Sequence, residues 1–206
     1  MTSPSVHDDA LTRREDRQMG VAFVAILVAL MWVLEIYDQA TGESLDQYGI
    51  EPHDVDGLGG IFLAPFLHAG FGHLIGNTVP FVLLGFTIAL GGILRVAATT
   101  LIVIVVGGLG TWLIAPTGTD HIGASGVVFG YATYLIARGL YSRRPLHLGI
   151  GLVVLGVYGS TLLFGLVPRD GISWQGHLCG GIGGIVAARL LDRRAARAAA
   201  PEPGYG

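Results

Sequence analysis

The sequence predicts an all-α polytopic membrane protein, a bundle of six transmembrane helices. Three observations carry that expectation. Six apolar runs near spanning length recur along the 206 residues. Charged residues make up only 13% of the chain, where soluble domains carry roughly 25%, and mean hydropathy is +0.62. The arginines that remain cluster between alternate runs, as they do when loops are sorted to one side of a bilayer.

The elements follow in order. Residues 1–19 are polar and charged, and are expected to form a flexible cytoplasmic tail. Gly20–Tyr37 is the first apolar run. It is long for the apolar part of a signal peptide, and no A-x-A cleavage site follows, so an uncleaved span is expected. Glu15 and Asp16 directly after Arg13-Arg14 argue against a twin-arginine signal. Asp38–Pro65 is a long acidic loop. Further runs fall at Leu67–Leu90, Val96–Ala115, Ser125–Tyr141, Leu146–Val167 and Trp174–Leu191. At a rise of about 1.5 Å per residue, ~20 residues cross the ~30 Å hydrocarbon layer. Ser125–Tyr141 is the shortest run and is expected to begin below the outer surface or beside a thinned bilayer. The six-span unit is thus bounded at 20–191, and residues 192–206 read as a basic, then Pro/Gly-rich cytoplasmic tail.

Orientation comes from arginine. With the N-terminus inside, the inner segments hold Arg13, Arg14, Arg17, Arg95, Arg138, Arg143, Arg144, Arg189, Arg193, Arg194 and Arg197, and the outer ones only Arg169. Both termini are therefore expected in the cytoplasm. The net charge of −3, with no basic stripe, excludes nucleic acid as a partner. The single cysteine, Cys179, can form neither an intrachain disulfide nor a zinc-binding cysteine cluster.

Polar side chains in a bilayer mark function by default. Four stand out. His73 and Asn77 lie at i and i+4 near the start of span two, so they share a helix face. Ser125 opens span four, and His177 lies near the start of span six. Even-numbered spans all run from outside to inside, so the four residues fall at one depth below the outer surface. There His177 is a candidate base for a Ser125 nucleophile. His73, Asn77 and the backbone N–H at Ser125 are candidate donors to an oxyanion. No carboxylate lies near them in the spans, which makes a dyad rather than a triad. Gly126 and Gly130, like Gly180 and Gly184, form G-x-x-x-G faces that let spans four and six approach closely.

Taken singly, each feature has a plainer reading. Ser125 between glycines is a common packing residue, and G-A-S-G is not the G-x-S-x-G elbow of soluble hydrolases. His177 alone is compatible with a structural histidine bonded to a carbonyl. His121 reads as solvated, His7, His53 and His147 as tail or loop residues, and Cys179 as packed or lipid-facing. A zinc site built from His68, His73 and His177 lacks H-E-x-x-H and an acidic base. A transporter would show internal repeats and intramembrane charges, whereas Glu35 and Asp38 are interfacial.

Together, HAGFGHLIGN, GASG, VVFG and GHLCGGIGG, in this order and on these spans, resemble the rhomboid family of intramembrane serine proteases across about Gly20–Leu191. The resemblance implies Ser125 as nucleophile, His177 as general base, and His73 with Asn77 on the oxyanion side. It implies Gly123 and Gly126 as the glycines flanking the nucleophile, and Phe129 as the aromatic packed on the catalytic histidine. His68 corresponds to a structural histidine, and Gly180 and Gly184 to the span-six packing glycines. The implied reaction is hydrolysis of a peptide bond in or near a transmembrane helix of a membrane-protein substrate, without metal or cofactor, in a bacterial inner membrane. The site is expected to open to the extracytoplasmic side, with span five and loop Pro168–Ser173 as moving parts. The other implied class is a non-proteolytic rhomboid-like protein that binds membrane helices. The Trp-Arg pair that often braces the family's first loop does not occur between Asp38 and Pro65, which leaves the bracing of that loop open. Oligomeric state is not specified.

Overall fold

The computed structural model describes residues 6–42 and 45–198. Its α-helices are α1 (Val6–Thr41), α2 (Gly60–Leu63), α3 (Phe71–Ala89), α4 (Ile93–Ile114), α5 (Ser125–Ser142), α6 (Pro145–Phe164) and α7 (Trp174–Ala198). No extended strand occurs among the described residues; the only β-type pairings there are isolated bridges. The six long helices coincide with the six apolar runs. Four of them, α1, α3, α4 and α6, are long and apolar enough by length and composition to cross a membrane. The other two, α5 and α7, do not meet that measure. Their neighbours explain this: α5 contacts α3, α4, α6 and α7, so much of its surface faces protein instead of lipid.

Two boundaries differ from expectation. The polar N-terminal segment is helical from Val6 and continuous with the first span. No Pro or Gly interrupts it before Gly20, and Asp16 Oδ1 accepts the Ile93 N–H at the start of α4 at 3.1 Å, docking the segment on the bundle. At the other end, α7 continues to Ala198 where a tail was expected from residue 192. Residues 1–5 and 199–206 of the two expected tails lie outside the described residues.

The core runs along α5. Tyr131 and Tyr134 are fully buried there, among Phe81, Leu84, Val96, Val103 and Leu135. Their hydroxyls find partners, as buried hydroxyls must: Tyr131 with Thr100, and Tyr134 with Arg95, which donates at 2.9 Å. Arg95 also meets Asp192 at 3.1 Å, with Arg138 3.7 Å from the same carboxylate oxygen. This cluster ties α4, α5 and α7 together at the end opposite Ser125.

The segment between α1 and α3 is a chain of short 3-10 turns and the single turn α2. It is pinned without a Trp-Arg pair. The Trp112 indole donates to Asp54 O at 2.7 Å, His53 Nε2 meets Ala115 O at 3.1 Å, and Ile50 and His121 exchange both backbone hydrogen bonds at 3.0 and 3.1 Å. The loop is therefore braced against the end of α4 and the segment that leads into Ser125.

Candidate active site

Ser125 is the first residue of α5, and His177 lies in the first turn of α7. The approach to Ser125 turns at Gly123, whose φ is +103°, a value that a residue with a Cβ rarely adopts. The Gly123 N–H donates to Ala64 O at 2.8 Å, fixing the turn to the first loop. Ser125 Oγ then lies 2.9 Å from His177 Nε2. The other ring nitrogen, Nδ1, lies 2.8 Å from the carbonyl oxygen of Gly165 at the end of α6. A carbonyl can only accept, so Nδ1 carries the proton and Nε2 presents a lone pair to the serine hydroxyl. Phe129, one turn beyond Ser125, stacks on the imidazole with centroids 4.1 Å apart and planes 7° from parallel. The ring is thus held by a hydrogen bond at one edge and by stacking on one face.

Close approach of α5 and α7 makes the 2.9 Å separation possible. A Cβ on Gly180 would collide with the carbonyl of Gly126, and one on Gly184 with the carbonyl of Gly130. A Cβ on Gly126 would lie 3.1 Å from Gly176 O. Glycine at these positions lets the helix backbones touch directly.

His73 and Asn77 lie on one face of α3, beside Gly123. A Cβ added at Gly123 would sit 2.6 Å from His73 Cε1 and 3.4 Å from Asn77 Nδ2. Asn77 is buried at 6% exposure, and its Nδ2 has no hydrogen-bond partner. A buried amide N–H left unpaired is costly, and this one lies beside the turn before Ser125. His68 sits behind this pair, in the loop ahead of α3, with its ring edge-on to His73 at 5.1 Å. Burial, followed by the neighbouring His73, pushes the His68 imidazole down to about 4. The neutral ring bridges two loops: Nδ1–H donates to Phe66 O at 3.4 Å, and Nε2 accepts the Ala124 N–H at 3.5 Å.

Eight of the ten residues singled out in the sequence lie together at the starts of α3, α5 and α7 and in the loops leading into them, and Gly180 and Gly184 lie further along α7 against α5. Cys179 is buried and lies against Gly110. Three participants were missed in the sequence reading. The Gly165 carbonyl is a backbone group and leaves no residue signature. Ser173 precedes α7 and accepts the Gly176 N–H at 3.1 Å, which the Ser-before-helix rule would have flagged as a cap. His121, expected to be solvated, is half-buried and bonded on both ring nitrogens, to Ser173 Oγ at 2.7 Å and Thr119 Oγ1 at 3.0 Å. Its backbone pairing with Ile50 carries it in from solvent. Ser125, His121, Ser173 and Thr111 share a cavity of about 50 Å3.

Comparison with known proteins identifies the family of the chain. The family model for the Rhomboid domain matches residues 57–194, and the chain belongs to the rhomboid family. With its long apolar helices it is an integral membrane protein. An uncharacterized protein of Mycobacterium tuberculosis is 46% identical over 198 residues, covering 91% of this chain and 82% of its own. An uncharacterized protein of Mycobacterium leprae is 45% identical over 189 residues, covering 87% and 74%. A Bacillus subtilis protein named "Putative rhomboid protease YdcA" is 27% identical over 134 residues, covering 64% and 66%.

Proposed function

We propose that the chain is an intramembrane serine endopeptidase that hydrolyses peptide bonds in or near transmembrane helices of membrane-protein substrates. One observation carries the reading: Ser125 Oγ lies 2.9 Å from a His177 Nε2 whose lone pair is freed by the bond from Nδ1 to Gly165 O. In the first step Ser125 Oγ bonds to the scissile carbonyl carbon as its proton passes to Nε2. The developing oxyanion takes hydrogen bonds from Asn77 Nδ2, the His73 ring and the backbone N–H at the start of α5. As the C–N bond breaks, the proton on Nε2 goes to the leaving amine. Water then attacks the acyl-serine and gives one proton to Nε2, which returns it to Ser125 Oγ as the carboxyl product departs. His68 and Phe129 hold the two histidines, and Gly123, Gly126, Gly180 and Gly184 set the helix spacing. The chemistry uses no metal or cofactor.

The substrate helix must unwind locally, because a helix encloses its carbonyls, so small or helix-destabilising residues are expected at the cut. The arginine distribution supports both termini in the cytoplasm and a site open to the extracytoplasmic side of a bacterial inner membrane. Loop Pro168–Ser173 and α6 would move to admit the substrate. The test is labelling by a fluorophosphonate probe in membranes. Wild-type protein should label, and Ser125→Ala and His177→Ala should not, at equal expression. Wild-type protein that fails to label, or Ser125→Ala that still cleaves a model transmembrane substrate, overturns the reading in favour of a non-proteolytic helix binder.

A further inference from the structure

His121 belongs to neither the nucleophile–base pair nor the oxyanion donors, yet its side chain is committed at both nitrogens, and the direction of each bond can be worked out. The Thr119 hydroxyl donates its one proton to Pro116 O at 2.6 Å. Its oxygen can then only accept from His121, so His121 Nε2 carries the ring proton. Burial pushes the His121 imidazole down, against the opposing charge of Asp120, which keeps the ring neutral at neutral pH. Nδ1 is therefore an acceptor, and the Ser173 hydroxyl at 2.7 Å must donate to it. With its proton spent on His121, Ser173 Oγ turns a lone pair to the Gly176 N–H at 3.1 Å, while Ser173 O accepts the His177 N–H at 3.0 Å. Every bond donates in one direction, from the Gly176 N–H through Ser173 and His121 to Thr119 and Pro116 O, and the backbone bond from the His177 N–H to Ser173 O lies in the same capped turn.

We propose that His121 is a positioning residue for His177. It orients the Ser173 hydroxyl so that this residue caps α7, and the capped turn sets His177 Nε2 against Ser125. The inference rests on the Ser125–His177 reading for its effect on rate, while the relay itself is a property of the fold. Because the backbone of His121 is paired with Ile50, the relay also links the first loop to the base.

The test separates the two ring nitrogens by substitution. His121→Asn places an amide oxygen where Nδ1 stands and keeps the acceptor for Ser173. His121→Gln keeps only a donor near Thr119. None of the variants removes a backbone pairing with Ile50. His121→Gln, Ser173→Ala and the double variant are each expected to slow fluorophosphonate labelling by about tenfold, the worth of one helix cap. The double variant should be no slower than either single one, because one relay is broken once. His121→Asn should stay within about threefold of wild type on the same scale. Hydrogen exchange at the Gly176 and His177 amides, which needs no activity, should quicken in the Gln and Ala variants and stay slow in the Asn variant. Asn and Gln variants that behave alike in exchange, or losses that multiply in the double variant, overturn the proposal. Wild-type protein that does not label, with the expected exchange pattern intact, overturns the hydrolase reading and leaves the relay supported.

Discussion

Gly180 gives the sharpest test of the helix spacing, because its neighbour Gly181 is a built-in control. A Cβ on Gly180 would lie 3.1 Å from Gly126 Cα and closer still to the Gly126 carbonyl oxygen. These are backbone atoms, which cannot rotate aside, so α5 and α7 must part by about 1 Å to reach ordinary contact. The Ser125–His177 separation of 2.9 Å then widens to about 3.9 Å, outside the range of a real hydrogen bond. A displacement of that size costs about 10²-fold in rate. The nearest atom to a Cβ on Gly181 is Thr133 Cγ2 at 3.5 Å, an ordinary contact. Both substitutions bring the same gain of about 0.5–1 kcal/mol from replacing glycine within a helix, so the difference between them isolates the contact. The assay is the rate of fluorophosphonate labelling, paired with thermal unfolding in detergent. Gly181→Ala should label within about twofold of wild type and unfold at a slightly higher temperature. Gly180→Ala should label about 100-fold more slowly. Equal labelling of the two variants would show that the Gly126–Gly180 contact does not set the dyad.

Asn77→Ala removes the unpaired buried donor, and should lower the rate of substrate cleavage by about 10²–10³-fold while leaving the unfolding temperature level or raised. A large fall in stability instead would mark Asn77 as a packing residue. For His68, whose folded value near 4 lies below the ordinary 6.5, the unfolded chain binds the extra proton between those limits. Stability should therefore be full above about pH 6.5 and fall by up to about 3 kcal/mol as pH drops towards 4. The matching slope should be absent in His68→Asn, measured by unfolding across that pH range.

How much could be read from the chain depends on where each contact is encoded. The apolar runs located all six long helices, because a bilayer demands about 20 consecutive apolar residues and the chain has few charges to blur the edges. The ends were harder. Asp16 carries the first helix past the membrane by bonding to Ile93, a partner 77 positions away, and no local propensity announces that. The convergence of His73, Asn77, Ser125 and His177 was legible because topology fixes depth: each lies near the start of a helix that enters from the same side. His121 was misread because its environment is set by pairing with Ile50, 71 positions earlier, and not by its polar neighbours Thr119 and Asp120.

If Ser125 and His177 form a catalytic dyad as proposed, the Gly165 carbonyl explains why two side chains suffice. In a water-exposed hydrolase a carboxylate holds the base in the right tautomer. A carboxylate below a membrane surface carries a desolvation cost of several kcal/mol unless paired. A carbonyl at the end of a helix is neutral, already present and short of a partner, since the last four carbonyls of a helix have no intrahelical donor. Bonding His177 Nδ1 to Gly165 O therefore satisfies a helix end and fixes the tautomer in one contact. It also makes the base depend on α6. Any movement that draws the end of α6 from α7 removes the acceptor from Nδ1 and leaves Phe129 as the remaining hold on the ring. On the proposed reading, movement of α6 to admit a substrate would be coupled to the orientation of the base through that single bond.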